Sequence, residues 1–287
     1  MRQQHFHPPA NYPISGLARD NLIFSILKRL KEDKQKVGAP DRIDDWEAGW
    51  SDNLERFKRS GSLADIVPRF VRHGQPVRWQ QDFYAPDDPD YELRFIEWLQ
   101  KDVIAPWFKE CHTIHEFGAG TGLNLVALSD VYPDKLLYGA DYSENSVDLV
   151  NAISERTYRH MHGKLFDMRR PDSTYPLRSG DGVLTFGAIE QLAGDFRSFI
   201  EFVLSRKPRV VVHVEPVIEL YDEQNFVDWL AIQFHQQRGY TEGLLPFLSE
   251  DPRIKVLEVR RSYVGSLMME GYTRIIWQPS GATSAAA

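Results

Sequence analysis

The segment HEFGAGTGLN, residues 115 to 124, sets three glycines at alternate positions directly after a short apolar run. Glycine there permits positive φ and lets a ligand lie against bare backbone, while the helix that follows offers unpaired N–H groups. Gly118, Gly120 and Gly122 read G-x-G-x-G. The dinucleotide fingerprint needs its third glycine where this chain has Leu123, and no Gly-Lys-Ser/Thr completes a phosphate loop. Pyrophosphate is a poor match. Asp141 closes the next apolar run about 20 residues on, where a carboxylate can accept both hydroxyls of a ribose or can cap the following helix together with Ser143. Asp167 closes the third run, placed either to accept from an adenine amino group or to form a turn. Two further residues carry chemistry. His213 interrupts the valines of RVVVHVEP (209 to 216) and shares a face with Glu215. Its type allows a general base or a hydrogen-bonded core histidine. Glu190, in AIEQLAGDF, is an acidic or positioning group at the mouth of the same crevice. His5, His7, His112 and His115 have no carboxylates spaced to complete a metal site, and none is expected.

These residues need strand ends to hold them. From Ile114, β-branched runs alternate with amphipathic segments, the pattern of a parallel sheet built from βα units. Strands are expected at 113–117, 135–141, 163–167, 181–187 and 209–216. A helix capped by Ser143 carries Val147, Val150 and Ile153, and another follows Asp195 with Phe199, Ile200 and Val203. IKVLEVRRSYVG and GYTRIIWQP read as an antiparallel hairpin that closes the sheet. Residues 1–90 have another texture, a helical arm or lid with Leu22, Ile23, Ile26, Leu27 and Leu30 at helical spacing. WEAGWSDNLERF (46 to 57) is expected to be a helix that docks through Trp46, Trp50 and Phe57. The prolines of PDDPD mark the boundary, 91–279 form the core domain, and 280–287 form a small-residue tail expected to be disordered.

The series IHEFGAGTGLN, LLYGADYSENSVDLV, LFDMR and DGVLTFGAIEQLAGDF, in that order, resembles the class I S-adenosylmethionine-dependent methyltransferases. The resemblance covers roughly residues 91 to 279. It implies a doubly wound, mostly parallel seven-stranded α/β sheet, a Rossmann-like fold, with S-adenosylmethionine as cofactor. By the same resemblance Gly118, Ala119 and Gly120 lie against the methionine part, and Glu116, with Asn124, supports the loop and the amino group. Asp141 and Tyr142 take the ribose end, Asp167 and Met168 take the adenine, and Tyr84 folds over from the arm beside Trp79. The family segment after the fourth strand often has histidine after the glutamate. Here Gln191 stands there, and glutamine takes no proton at neutral pH. The catalytic candidates are therefore His213 and Glu190.

The charge balance of 34 basic against 41 acidic residues, without a long basic block, points away from nucleic acid. A single cysteine, no apolar run near the roughly 20 residues of a membrane helix, and no secretory h-region give the expectation of a cytoplasmic protein without membrane contact. The leading expectation is methylation of a small polar metabolite, at a sugar-like or other hydroxyl. Two alternatives stand beside it: a non-enzymatic protein that keeps the nucleoside pocket, and a nicotinamide-dependent oxidoreductase.

Overall fold

Pro40, whose φ is preset for a first helical turn, and Gly61, at a φ of 70° that favours glycine, bracket the longest helix of the arm. In the computed structural model, which describes Phe6 and residues 13–281, this helix α2 (Pro40–Ser60) follows α1 (Gly16–Glu32). Arg42, Trp46, Trp50 and Phe57 lie along one side of α2. Phe57 and Leu54 are buried in the main core, so the lower half of that face is a docking surface. β1 (Val77–Trp79) and β2 (Asp82–Tyr84) then pair antiparallel. Arg78 is buried, and its guanidinium donates to the carbonyls of Val227, Leu267 and Met268.

After α3 (Tyr91–Trp98) the chain alternates as its pattern requires. The elements are β3 (Thr113–Phe117), α4 (Leu123–Val131), β4 (Leu136–Asp141), α5 (Glu144–Thr157), β5 (Met161–Leu165), β6 (Gly182–Phe186), α6 (Phe196–Arg206), β7 (Val210–Glu215), α7 (Phe226–Arg238), α8 (Leu244–Glu250), β8 (Ile254–Arg260), β9 (Val264–Gly265) and β10 (Thr273–Pro279). Among the described residues, seven strands form one sheet in the order β5-β4-β3-β6-β7-β10-β8. The first five strands pair in parallel, through four pairings, and β10 is antiparallel to both its neighbours. The chain thus has the doubly wound, Rossmann-like α/β sheet expected of it. All six residues of β7 are buried, as a central strand covered on both faces demands.

Two boundaries differ from the sequence expectation. The third parallel strand starts two residues before Gly163. That glycine lies inside the strand because a Cβ there would stand 2.3 Å from the Val147 carbonyl oxygen of α5. The final hairpin is also interrupted: β9 leaves it to pair with β1, making a second sheet in the order β2-β1-β9. α1 packs beside α7, and Ile26, Phe83, Val227, Leu230 and Phe234 share a satellite core. His5, His7 and residues 282–287 of the expected tail lie outside the described residues.

Candidate functional site

β3 and β4 are neighbours, so their carboxyl ends deliver Glu116 and Asp141 to one crevice. Glu116 is fully buried. Its Oε1 accepts from Asn124 Nδ2 at 2.5 Å, and Asn124 Oδ1 in turn accepts from Gln100 Nε2 at 2.6 Å. Glu116 Oε2 is buried with no partner. Burial, with the Asp141 charge adding to it, pushes the Glu116 carboxyl up to about 8. Asp141 is buried too, and burial raises its pKa. Its Oδ2 accepts from the Gly120 amide at 2.9 Å and its Oδ1 from the Ser143 amide at 3.0 Å.

The glycine loop turns as its sequence predicts. Gly118, Gly120 and Gly122 have φ of 75°, 52° and 75°, and the Gly118 and Ala119 amides donate to the Ala140 carbonyl at 2.7 and 3.2 Å. What lies against the loop is explicit. A Cβ on Gly118 would stand 2.4 Å from Ala188 Cβ, and Met168 Cε comes within 3.6 Å of the same point. A Cβ on Gly120 would stand 3.1 Å from the Trp50 ring, and one on Gly122 3.2 Å from Val150. Two of these glycines thus admit the turn after β6 and a helix of the arm.

The arm's contribution is larger than the sequence reading gave it. Glu47 Oε2 accepts from Ser143 Oγ and from Asn145 Nδ2, both at 2.9 Å, so the upper half of α2 is pinned to the start of α5. Trp46 and Trp50 stack with centroids 5.2 Å apart, and the Arg42 guanidinium lies 4.5 Å over the Trp46 ring. The signal was present in the spacing: Arg42, Trp46 and Trp50 recur every fourth residue, a cation and two indoles on the face that Phe57 continues. Tyr84, by contrast, stands in β2 as the register partner of Val77 and is bridged to Pro13. The ring contact to the glycine loop is made by Trp50 instead. Tyr142, next to Asp141, is 41% exposed. Asp167 is half-buried and its Oδ1 accepts from the Arg169 amide at 2.9 Å, the behaviour of a turn former, while Met168 reaches the loop.

His213 allows two readings, a base or a hydrogen-bonded core histidine, and its surroundings favour the second. Its ring is fully buried. Trp277 Nε1 lies 2.9 Å from His213 Nε2 and can only donate, so Nε2 accepts and the proton sits on Nδ1, 2.9 Å from Thr185 Oγ1. Thr185 also acts on Glu215, holding its carboxyl down against the effect of burial. Glu215 accepts from the amides of Ala188 and Ile189 at 3.1 Å and of Glu190 at 3.3 Å. Both histidine nitrogens are spent, and burial lowers the imidazole pKa to about 3. The geometry supplies no free lone pair for a base; His213 positions Thr185, Glu215 and the turn that carries Glu190.

Glu190 is buried, and its Oε1 accepts from Gln191 Nε2 at 2.7 Å. Burial, reinforced by the Glu215 charge, pushes its carboxyl up to about 8. Arg42 and Arg238 act on it from α2 and α7. Among the described residues no group of three or more His, Cys, Asp or Glu side chains is placed to hold a metal ion, and no helix is long and apolar enough to cross a membrane.

No protein-family model matches the chain, and a comparison with curated proteins finds no match. Solved structures do resemble it. A (4+2)-cyclase, SpnF, aligns with a TM-score of 0.52 and 12% identity over 82% of this chain and 95% of that one. A geranyl diphosphate methyltransferase in complex with geranyl diphosphate and sinefungin aligns with a TM-score of 0.49 and 13% identity over 82% and 98%. A 16S ribosomal RNA methyltransferase, RmtF, in complex with S-adenosylhomocysteine aligns with a TM-score of 0.49 and 12% identity over 91% of each chain. At these identities the likeness is one of fold.

Proposed function

We propose that this chain is a class I S-adenosylmethionine-dependent methyltransferase that transfers the methyl group to a hydroxyl of a small polar metabolite. One observation carries the reading: two buried carboxylates, Glu116 and Asp141, stand at adjacent strand ends beside a glycine turn, and Glu116 Oε2 lacks a partner. Such a pair favours a ligand with an ammonium group and ribose hydroxyls. It disfavours the two negative charges of a dinucleotide pyrophosphate, which sets the nicotinamide alternative behind.

In this reading Glu116 Oε2 takes the ligand's ammonium, and Gly118, Ala119 and Gly120 line its aminoacyl chain. Asp141 exchanges its amide bonds for ribose hydroxyls beside Tyr142, and Asp167 and Met168 border the adenine. When bound, S-adenosylmethionine supplies an electrophilic sulfonium methyl, whose S–C bond pair returns to sulfur. Ala188, packed on Gly118, sets Glu190 close beyond that centre, where its carboxylate accepts the acceptor's hydroxyl proton as the new O–CH3 bond forms. Residues 1–90 act as the arm that excludes water and 91–279 as the cofactor domain, in a cytoplasmic protein.

Calorimetric titration with S-adenosylhomocysteine tests the reading. Binding at micromolar concentration, weakened by about 1 to 3 kcal/mol in Asp141→Ala, is the expected result. No binding at high micromolar concentration removes it. A second reading keeps the pocket without methyl transfer. It draws on Trp50 packed against Gly120 and on the likeness in fold to SpnF, a cyclase. Detection of any methylated product ends that reading.

A further inference from the structure

Three sheltered hydrogen-bond donors on neighbouring side chains have no acceptor: Arg42 Nε, Trp46 Nε1 and Arg238 Nε. All are donors, so what completes them must accept. Arg42 is the free cation of the set. Its plane stacks on Trp46, which leaves the N–H edge of the guanidinium open, and Nε has no acceptor among the described residues. Arg238 differs. Its terminal nitrogens are tied to Asp33 and Gln35, and only Nε is left over. The two guanidiniums share their surroundings, since both act on Glu190 and on Tyr240. The place is therefore past the end of β6, beside Glu190. Arg42 also acts on Tyr142, next to Asp141, so the place borders the ribose end as well as Glu190. Arg169, the other cation nearby, already donates to the Gln191 carbonyl.

Burial keeps Glu190 largely protonated at neutral pH, so it neutralises these cations only in part. Two arginines with unpartnered N–H groups around a mostly neutral acid make surroundings that favour an oxyanion.

We propose that Arg42, backed by Arg238 Nε, is an anion subsite of the acceptor pocket, and that the methyl acceptor carries a carboxylate or phosphate group in addition to its hydroxyl. This rests on the methyltransferase reading for the identity of the pocket, but the subsite itself is measurable without it. Stacking on Trp46 preorganises the guanidinium, so the anion binds without ordering a long side chain.

The test is calorimetric titration of benzoate and, separately, of inorganic phosphate into the protein saturated with S-adenosylhomocysteine, at fixed ionic strength. Wild type is compared with Arg42→Gln and Arg42→Lys. The expected result is saturable binding of at least one probe, weakened about tenfold or more in Arg42→Gln and partly kept in Arg42→Lys. Benzoate alone assigns a carboxylate, phosphate alone a phosphate. Absence of saturable binding, or equal binding in wild type and Arg42→Gln, overturns the proposal. Binding to the apo protein that S-adenosylhomocysteine abolishes also overturns it, because Arg42 then serves the nucleoside ligand's own carboxylate. If S-adenosylhomocysteine itself fails to bind, the methyltransferase reading falls; the same probes titrated into the apo protein then decide the anion subsite by the same comparison. Arg42 is partly exposed near the start of α2, and a melting curve of each variant verifies that it folds.

Discussion

A valine strand with one histidine in it offers two roles, and the difference lies in what the ring nitrogens touch. Trp277 Nε1–H occupies one and Thr185 the other, and both partners come from strands that the sequence cannot bring into register with residue 213 by itself. His213→Phe is therefore expected to cost about 1 to 3 kcal/mol of stability through the stranded Trp277 N–H, with affinity for S-adenosylhomocysteine intact. Loss of turnover without loss of stability in that variant would return the base role to His213. Glu190 behaves differently. With a carboxyl near 8 it must lose its proton to work, so kcat/KM should rise with pH until about 8. In Glu190→Gln the rate should drop about a hundredfold or more and that rising limb disappear. The strand-end position of Asp141 was legible from the apolar run it closes, whereas Glu116 was singled out only through the family resemblance. The partners of Arg42 and Glu47 were not legible, because Ser143 lies 96 residues from Glu47 and Glu190 lies farther still from Arg42, and only the docked helix makes them neighbours.

α2 has two halves with different work. Leu54 and Phe57 anchor the lower half in the main core, while the upper half is held by Glu47 and by Trp50 on the glycine loop. The sequence placed this helix and named its docking residues correctly in kind, yet a burial pattern cannot say which end faces a cleft. Glu47→Ala removes two hydrogen bonds to a charged group, so amide exchange over residues 40–52 should accelerate about tenfold or more while residues 53–60 keep their protection. Hydrogen-exchange mass spectrometry reads both halves at once. Uniform acceleration would show that the helix moves as one body. That these strands run parallel followed from the alternating pattern, and their order was implied only by the family resemblance. The excursion of β9 did not, since a two-residue strand leaves almost no periodicity to read.

For the molecule as a whole, three buried carboxyls, Glu116, Glu190 and Glu215, are pushed up to about 8, 8 and 7 against 4.5 when solvated. The folded state therefore holds more protons than the unfolded one between these limits. Their contribution to stability is fully present below 4.5 and is lost as pH rises through 7 to 8. The melting temperature of the ligand-free protein should fall on going from about pH 5.5 to 8, and Glu190→Gln should flatten the slope. A melting temperature flat across that range would mean that water reaches these groups. One feature of the sheet bears on how the chain is made. Among the described residues β10 is the last strand in sequence, yet it lies between β7 and β8. Until residue 279 has left the ribosome, the valine edge of β7 has no neighbour on that side and β8 has none at all. The nucleoside half, β3 to β6, is complete long before. Synthesis thus passes through a stage in which a finished cleft is joined to an uncovered, strongly apolar strand edge, and it is then, rather than in the mature protein, that a chaperone has the most to shield.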